Sequence, residues 1–490
     1  MSKLYIFGIG GTGCRVLKSL TMLLAAGVKC DADTIIPIII DRDMANADLT
    51  KTKSIIDNYI KLNDKAPKAN EENRNLFFNT PMVLLNGKLC MQLKDGAQIF
   101  KDYIQRDEMT KNNMALIDAL FSKDAQSMNM TVGFQGVPNI GSVVLNQFED
   151  APIFHSFAQN FAAGDKIFII SSIFGGTGAS GFPLLLKTLR MENAALNNWS
   201  LVNKAAIGAI SVMPYFEVSK TEDKESRVKS DTFVDKAKAA LSYYKTIDKE
   251  LETLYYIADN KKTTYEHHKG GSEQANPAHF VEMAAAMSIL DFANSPITRD
   301  ANNPTTSYKE FGIKPSKLTQ ANGTSIINDC NELSFADMAD ETNLLIKKPM
   351  AQLFMFRKYL REVFPEQNTH QPWSHNYPWK KDKNFDNVYM KSDAMVTLNE
   401  FLDTYYQWLD EMNSKQARKF HPFSFDVKKS DALEFVRYSS SDRSRRYGRW
   451  AWMDNELNKQ SNRISKTLSK TESFIELFYR ATESFVNTLI

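Results

Sequence analysis

The chain is 490 residues long, with 43% hydrophobic and 24% charged residues and a formal net charge of +2. That length exceeds one small core and predicts two or three domains, and the near-neutral charge gives no electrostatic case for nucleic acid or an anionic membrane surface. The longest apolar runs, Ile35 to Ile40 and Ile167 to Ile173, are strand-length, so no membrane span is expected. The N-terminus enters a strand without a charged-then-apolar leader. Cys14, Cys30, Cys90 and Cys330 lie far apart without metal-ligand spacing, which suits a reducing compartment. A cytoplasmic protein is the expectation. The seven histidines show no zinc pattern, and His267-His268 reads as a solvated pair.

In chain order, residues 3 to 8 read as a buried strand, 11 to 27 as a helix, and 34 to 41 as a second buried strand ending in Asp41-Arg42-Asp43. Ile-rich runs separated by helices predict a parallel sheet covered on both faces. Residues 44 to 125 read as a polar, mostly helical insertion. A glycine-punctuated loop spans 130 to 142, and a helix is expected from 142 to 161. The strand at 166 to 173 leads through glycines to a helix over about 182 to 196. A strand over 205 to 213, a helix over 222 to 250, a strand over 253 to 258 and an alanine-rich helix over 277 to 293 follow. Residues 295 to 326 read as a linker or exposed loops. The tail after 340 reads as helical, with one long amphipathic helix over 449 to 490, where glycine and proline are absent.

Two strand–glycine–helix units carry the chemistry. Gly8-Ile9-Gly10-Gly11-Thr12-Gly13 follows the first strand, and Gly175-Gly176-Thr177-Gly178-Ala179-Ser180-Gly181 follows the strand at 166. Glycine lets the backbone approach a ligand, and free N–H groups at a helix start attract anions, so each is built as a phosphate cradle. The first satisfies the GxGxxG dinucleotide fingerprint, but Asp41 comes about ten residues late for the ribose acid. A dinucleotide fold also needs neither the second cradle nor the loop at 133 to 141. Glycines that merely make tight turns are the bland alternative. Ser439 to Trp452 mixes basic and aromatic residues, and reads as a solvated loop or a patch for an acidic partner in preference to a nucleic-acid platform.

The order of these features brings a family into view. Gly8 to Gly13 resembles the first nucleotide loop of the tubulin/FtsZ superfamily. Asp41-Arg42-Asp43 is similar to the Asn-Thr-Asp ending that family's second strand. Gly136-Val137-Pro138-Asn139-Ile140-Gly141 resembles its terminal-phosphate loop. Phe174 to Pro183 resembles its GGGTGTGxxP signature, departing at Phe174, Ala179 and Ser180, and Ser211 to Glu217 is similar to its ribose loop. Order and spacing match from the first strand to about residue 290, apart from the insertion.

The resemblance implies an α/β fold: a parallel-sheet nucleotide-binding domain over 1–295, with the helical insertion at about 44–125, then an α-rich C-terminal domain over 296–490. It implies GTP or GDP with Mg²⁺ as cofactors. Gly10, Gly11, Thr12, Gly13 and Cys14, with Gly175, Gly176, Thr177, Gly178, Ala179 and Ser180, would wrap the inner phosphates. Gly136, Pro138 and Asn139 would meet the terminal one, and Asp41 or Asp43 would act through Mg²⁺ and water. Pro214 and Glu217 would shape the ribose site, and Asn260 (or Asp259) and Asn276 would read the base, although helix-capping or solvated roles are equally open for both asparagines. In the family an acidic residue of the next subunit completes the site. The candidates are Asp337, in a stretch similar to the family's Asn-x-Asp-Phe-Ala-Asp with Ser334 at its first aspartate, and Asp291; an ordinary exposed aspartate is the bland alternative for each. The implied function is GTP-dependent self-assembly into a filament or homo-oligomer, with hydrolysis stimulated by assembly and the C-terminal helices available to a protein partner. A nucleotide-binding scaffold without efficient hydrolysis, recruiting partners in a bacterial defence or stress system, is the first rival. A dinucleotide-dependent oxidoreductase is the second.

Overall fold

The computed structural model describes residues 2–68, 76–93, 98–134, 136–193, 195–219, 233–259, 263–266, 271–273, 275–310, 317–319, 325–327, 332–335, 338, 343–367, 371–375, 385–414, 417–423 and 450–489. Its centre is a six-stranded, all-parallel sheet. The strands are β1 (Lys3–Ile9), β2 (Thr34–Ile40), β3 (Lys166–Ser172), β4 (Ala206–Val212), β6 (Thr253–Ile257) and β8 (Ser307–Glu310), in the order β2-β1-β3-β4-β6-β8. Two short strands, β5 (Phe216–Val218) and β7 (Thr263–Tyr265), pair beside it.

The helices used below are α1 (Gly10–Ala25), α2 (Ala47–Lys65), α3 (Lys111–Leu120), α4 (Pro138–Val144), α5 (Pro152–Asn160), α6 (Gly176–Arg190), α7 (Phe233–Tyr244) and α8 (Phe280–Asn294). In the C-terminal half they are α9 (Lys348–Lys358), α10 (Asp393–Ser414), α11 (Trp450–Ser461) and α12 (Lys470–Leu489). Both sheet faces are covered, which is why the central strands can be apolar at every position. Tyr5 and Phe7 point to one face and meet Phe157 of α5, with ring centroids 4.9 and 5.2 Å away. Ile6 pairs in register with Phe168 on the other face, where Phe168 meets Phe292 of α8 at 5.5 Å. A methyl group on Gly208 of β4 would lie 2.7 Å from the Phe292 ring, so α8 crosses the sheet at this glycine.

The C-terminal helices dock on the sheet domain through specific polar contacts. Trp408 of α10 donates its indole N–H to Ser19 of α1 at 3.2 Å. Glu411 accepts from Lys51 of α2 at 2.9 Å and from the backbone of Ala278, just before α8, at 2.8 Å. Arg418 pairs with Asp259 at 2.9 Å. Farther from the sheet, Phe356 of α9 stacks on Phe478 of α12 at 4.3 Å. No helix among the described residues is long and apolar enough to cross a membrane.

The structure departs from the sequence expectations in five places. Residues 76–91 are not helical: they run beside β2, where Ile35 and Ile39 bond the backbone of Pro81, Val83, Leu89 and Met91. The helix expected over 142–161 is split by a tight turn at Phe148–Asp150 and by Pro152 at the start of α5. The helix expected from 182 begins at Gly176, inside the glycine run. Residues 307–310, expected as loop, extend the central sheet, and 317–319 pairs with 325–327 as a two-stranded ribbon. The single terminal helix is two helices. Ser469 and Glu472 form reciprocal side-chain–backbone bonds that start α12 afresh, a capping box in S-x-x-E form. Of the helix expected over 222–250, residues 222–232 lie outside the described residues, as do Cys330, His267-His268 and 439–449.

Candidate functional site

In an open parallel sheet, ligands bind beyond the carboxyl ends of the strands, where the strand order reverses. The chain leaves β1 to one side to form β2, then crosses to β3 on the other side of β1. The reversal therefore lies between β1 and β3, the two strands that end in glycine turns. A cleft of about 200 Å³ opens there. Its walls include the segments that follow β1, β2 and β3, together with Gly133, Phe134 and Gly136 from the connection between β2 and β3.

Two helix N-termini face this cleft. α1 starts at Gly10 directly after β1, and α6 starts at Gly176 behind Gly175. Neither has a side-chain cap or an acidic residue in its first turn. Each leaves its first backbone N–H groups for an external acceptor and presents the positive end of a helix dipole. The turns are packed together: a methyl group on Gly10 would sit 3.4 Å from Thr177 Cβ, at a backbone φ of +70° that favours glycine. The loop at 133–136 closes the third side. A methyl group on Gly176 would lie 2.9 Å from Phe134 Cβ and 3.0 Å from the Gly136 nitrogen.

Of the residues expected to bind nucleotide, Gly10, Gly11, Thr12, Asp41, Asp43, Gly136, Gly175, Gly176, Thr177, Gly178 and Asn276 line this one cleft. Others lie outside its lining. Gly13 sits behind the turn, where a methyl group would meet the Gly8 backbone at 2.7 Å or less, and Cys14 is buried with burial raising its thiol pKa well above the ordinary value. Ser180 spends its hydroxyl inside α6, donating to Gly176 O at 2.7 Å, and neither it nor Ala179 lines the cleft. Pro138 and Asn139 begin α4 beyond Gly136. Pro214 and Glu217 are also outside the lining. Phe216 and Val218 of β5 face the cleft, and Glu217 between them falls on the opposite side of the strand.

Asp291 is elsewhere altogether. It lies nine residues along α8 from Glu282 (about 13 Å at the helical rise), where it meets Tyr255 and Lys309 at 2.5 Å each. It lines a separate cavity of about 460 Å³ with Met287 and Leu345. Asn260 and Asp337 lie outside the described residues.

Several cleft residues carried no signal that the sequence reading used. Phe174, Phe216, Phe233 and Tyr265 form an aromatic wall, with Phe174–Phe233 at 4.9 Å and Phe216–Tyr265 at 5.0 Å. Phe174 and Phe216 were visible beside the glycine turn and Pro214, whereas Tyr265 reaches the wall only through the pairing of β5 with β7. Arg15 stands at the base of the cleft and is buried. It binds Glu282 at 2.7 Å and Asp48 at 2.9 Å, and donates at 3.1 Å to the Tyr215 hydroxyl, which in turn donates to Glu282 at 2.7 Å. Burial alone would lower the guanidinium pKa; Tyr215, Glu282 and Asp48 outweigh it and hold the group charged. Next to it, His279 starts α8, its Nδ1 accepting from the Val281 N–H at 3.1 Å, and burial pushes its pKa down to about 4.

Asp41 and Asp43 give the cleft two carboxylates at the end of β2. Burial pushes Asp41 up to about 7. One Asp41 oxygen accepts from the Asp43 N–H at 3.1 Å, while Asp43 accepts from Ala45 at 3.2 Å and Gly271 at 2.7 Å. These are hard oxygen donors beside an anion cradle. Mg²⁺ binds through one or two carboxylates and keeps several waters, so the donor set fits it.

No family model and no curated protein matches the sequence. Among solved structures the chain is similar to a GTPγS-bound protofilament of CetZ2 from Haloferax volcanii, at 14% identity and a TM-score of 0.30, over 62% of this chain and 61% of that one. It is similar to CetZ from Methanosaeta thermophila at 13% identity and a TM-score of 0.32, over 61% and 56%. A two-stranded TubZ-Bt filament aligns at 11% identity and a TM-score of 0.23, over 65% and 63%. The chain thus spans about three fifths of the length of these structures.

Proposed function

We propose that this chain is a divergent tubulin-like nucleotide-binding protein that holds GTP, with Mg²⁺, in the cleft between β1 and β3 and self-assembles with that nucleotide at the subunit contact. One observation carries the reading. Two uncapped helix N-termini and a third glycine loop converge on a single cleft, as a triphosphate tail requires. The loop order read from the sequence supports the same family. A dinucleotide oxidoreductase would leave the 133–136 loop and the second glycine turn without a role.

In this reading the N–H groups of Gly10–Thr12 and Gly176–Gly178 bind the inner phosphates. Asp41 and Asp43 hold the hydrated metal, which would supply charge neutralisation at the phosphates. The aromatic wall takes the base and ribose, with Asn276 at its rim. Hydrolysis would need an acid from the next copy, and Asp291 and Asp337 are the candidates. The free thiols of Cys14, Cys30 and Cys90 suit a reducing cytoplasm.

The engagement of Asp291 with Tyr255 and Lys309 favours a second reading: a nucleotide-bound scaffold that hydrolyses poorly. The two are separated by phosphate release from GTP measured across protein concentration, with negative-stain images of the same samples. Release that rises above a critical concentration together with filaments or rings supports the assembling GTPase. Assemblies without release support the scaffold. Protein that carries no purine nucleotide after gentle purification and binds none on titration overturns both.

A further inference from the structure

The cleft has a charge deficit that its own lining does not correct. Its acidic residues are Asp41, Asp43 and Glu266, and Arg15 is the one cation among the described lining residues. Arg15 is already committed to Glu282 and Asp48. A triphosphate brought here adds several negative charges to that acidic surplus. Backbone N–H groups and one hydrated metal ion compensate part of it, and an ammonium within reach would compensate more.

Lys236 is placed to do so. It lies one turn along α7 from Phe233, which lines the cleft, and so shares that face of the helix. Its Nζ donates to Gly136 O at 2.8 Å, on the third wall of the cleft. Gly136 has a φ of +74°, and a methyl group there would lie 3.2 Å from the ammonium, so nothing stands between Lys236 and the loop backbone. No carboxylate meets Lys236 among the described residues, and burial alone holds its pKa below the usual lysine value. An ammonium has three donors, and one carbonyl uses one of them. The group is half-buried and oriented, with no counter-anion among the described residues.

We infer that Lys236 binds the phosphate lying nearest the 133–136 loop and makes the cleft prefer a nucleoside triphosphate over the diphosphate. This rests on the proposal that the cleft holds a polyphosphate. The ammonium exchanges part of its bond to the Gly136 carbonyl for a charge-assisted bond to a phosphate oxygen, which couples the loop to the presence of that phosphate.

The test uses the full chain, the fluorescent probes mant-GMPPNP and mant-GDP with Mg²⁺, and three variants. Lys236→Met is expected to weaken mant-GMPPNP by about tenfold or more, as for loss of a charge-assisted bond, and mant-GDP by less than about threefold. Lys236→Gln keeps an N–H donor for Gly136 but no charge, and is expected to match Lys236→Met. Lys236→Arg is expected to recover most of the triphosphate affinity. Equal losses for both probes, or Lys236→Gln binding like the unsubstituted protein, would mean that the side chain only anchors the loop, and the inference falls. If the unsubstituted protein binds neither probe, the reading of the cleft fails first and this inference goes with it.

Discussion

The turns after β1 and β3 look alike as sequence and do different work. After β1 the helix starts with no intervening residue, and α1 is buried along nearly its whole length, against α2 and α8. Its glycines bring helix and strand together: Gly13 packs on Gly8 so closely that a methyl group has no room. After β3, Ile173, Phe174 and Gly175 intervene; Gly178 packs on the Ser172 backbone much as Gly13 packs on Gly8, but Gly176 meets a different segment, at Phe134 and Gly136. The first turn only welds the site to the core, whereas the second, through Gly176, also joins the site's own walls. Similar glycine patterns therefore predict a shared ligand and different consequences when broken.

The largest effect should come from the weld. Arg15→Met leaves Asp48 and Glu282 buried without their cation, and is expected to destabilise the fold by about 3–5 kcal/mol, measured by urea unfolding. A loss under about 1 kcal/mol would show that α1 is held by its apolar contacts alone. Gly176→Asp, in the second turn, should act on binding: its carboxylate enters the anion cradle and its Cβ displaces Phe134. We expect GTP affinity to fall by more than about a hundredfold with far less change in unfolding free energy, and retained affinity would contradict the cleft assignment.

Gly13→Ala should show the converse pattern. The added methyl meets backbone that cannot rotate away, so stability falls by about 1–3 kcal/mol before nucleotide affinity changes. If binding is lost with stability intact, the contrast between the turns is wrong. The effect that is smallest when read over a single pH unit concerns Asp41, whose pKa rises to about 7 on folding from an ordinary value near 4. The folded state then holds the extra proton between about pH 4 and 7, so this group makes apo-protein stability fall as pH rises through that window, by at most about 1.4 kcal/mol per pH unit. Above pH 7 its contribution is flat. Asp41→Asn should remove this slope in nucleotide-free, metal-free buffer; an unchanged slope would assign it to other groups.

Much of the sheet was legible because parallel strands are buried on both faces: Ile35–Ile40, Ile167–Ile173 and Ala206–Val212 read directly as strands. β8 was not, since Ser307-Tyr308-Lys309-Glu310 is a half-exposed edge strand whose partner is fixed only by tertiary structure. The start of α6 was hidden because glycine has low helix propensity. The new start of α12 was written in Ser469 and Glu472, a signal overlooked in favour of an unbroken periodicity. In the site, the glycine turns and the two aspartates could be read locally. Lys236, Arg15 and Tyr265 could not, because their roles depend on which distant elements pack beside them. Glu217 falls outside the cleft lining for a smaller reason, the strand's two-residue alternation.

Glu411 gives the helical half a handle on the cleft. One carboxylate there grips Lys51 on α2 and the amide of Ala278, two residues past Asn276 at the cleft rim and two before α8 begins. A partner that tugged on α10 would thus pull at the rim of the cleft itself. Conversely, anything that reshaped the rim would be felt along α10, so the cleft and the C-terminal helices share one mechanical connection.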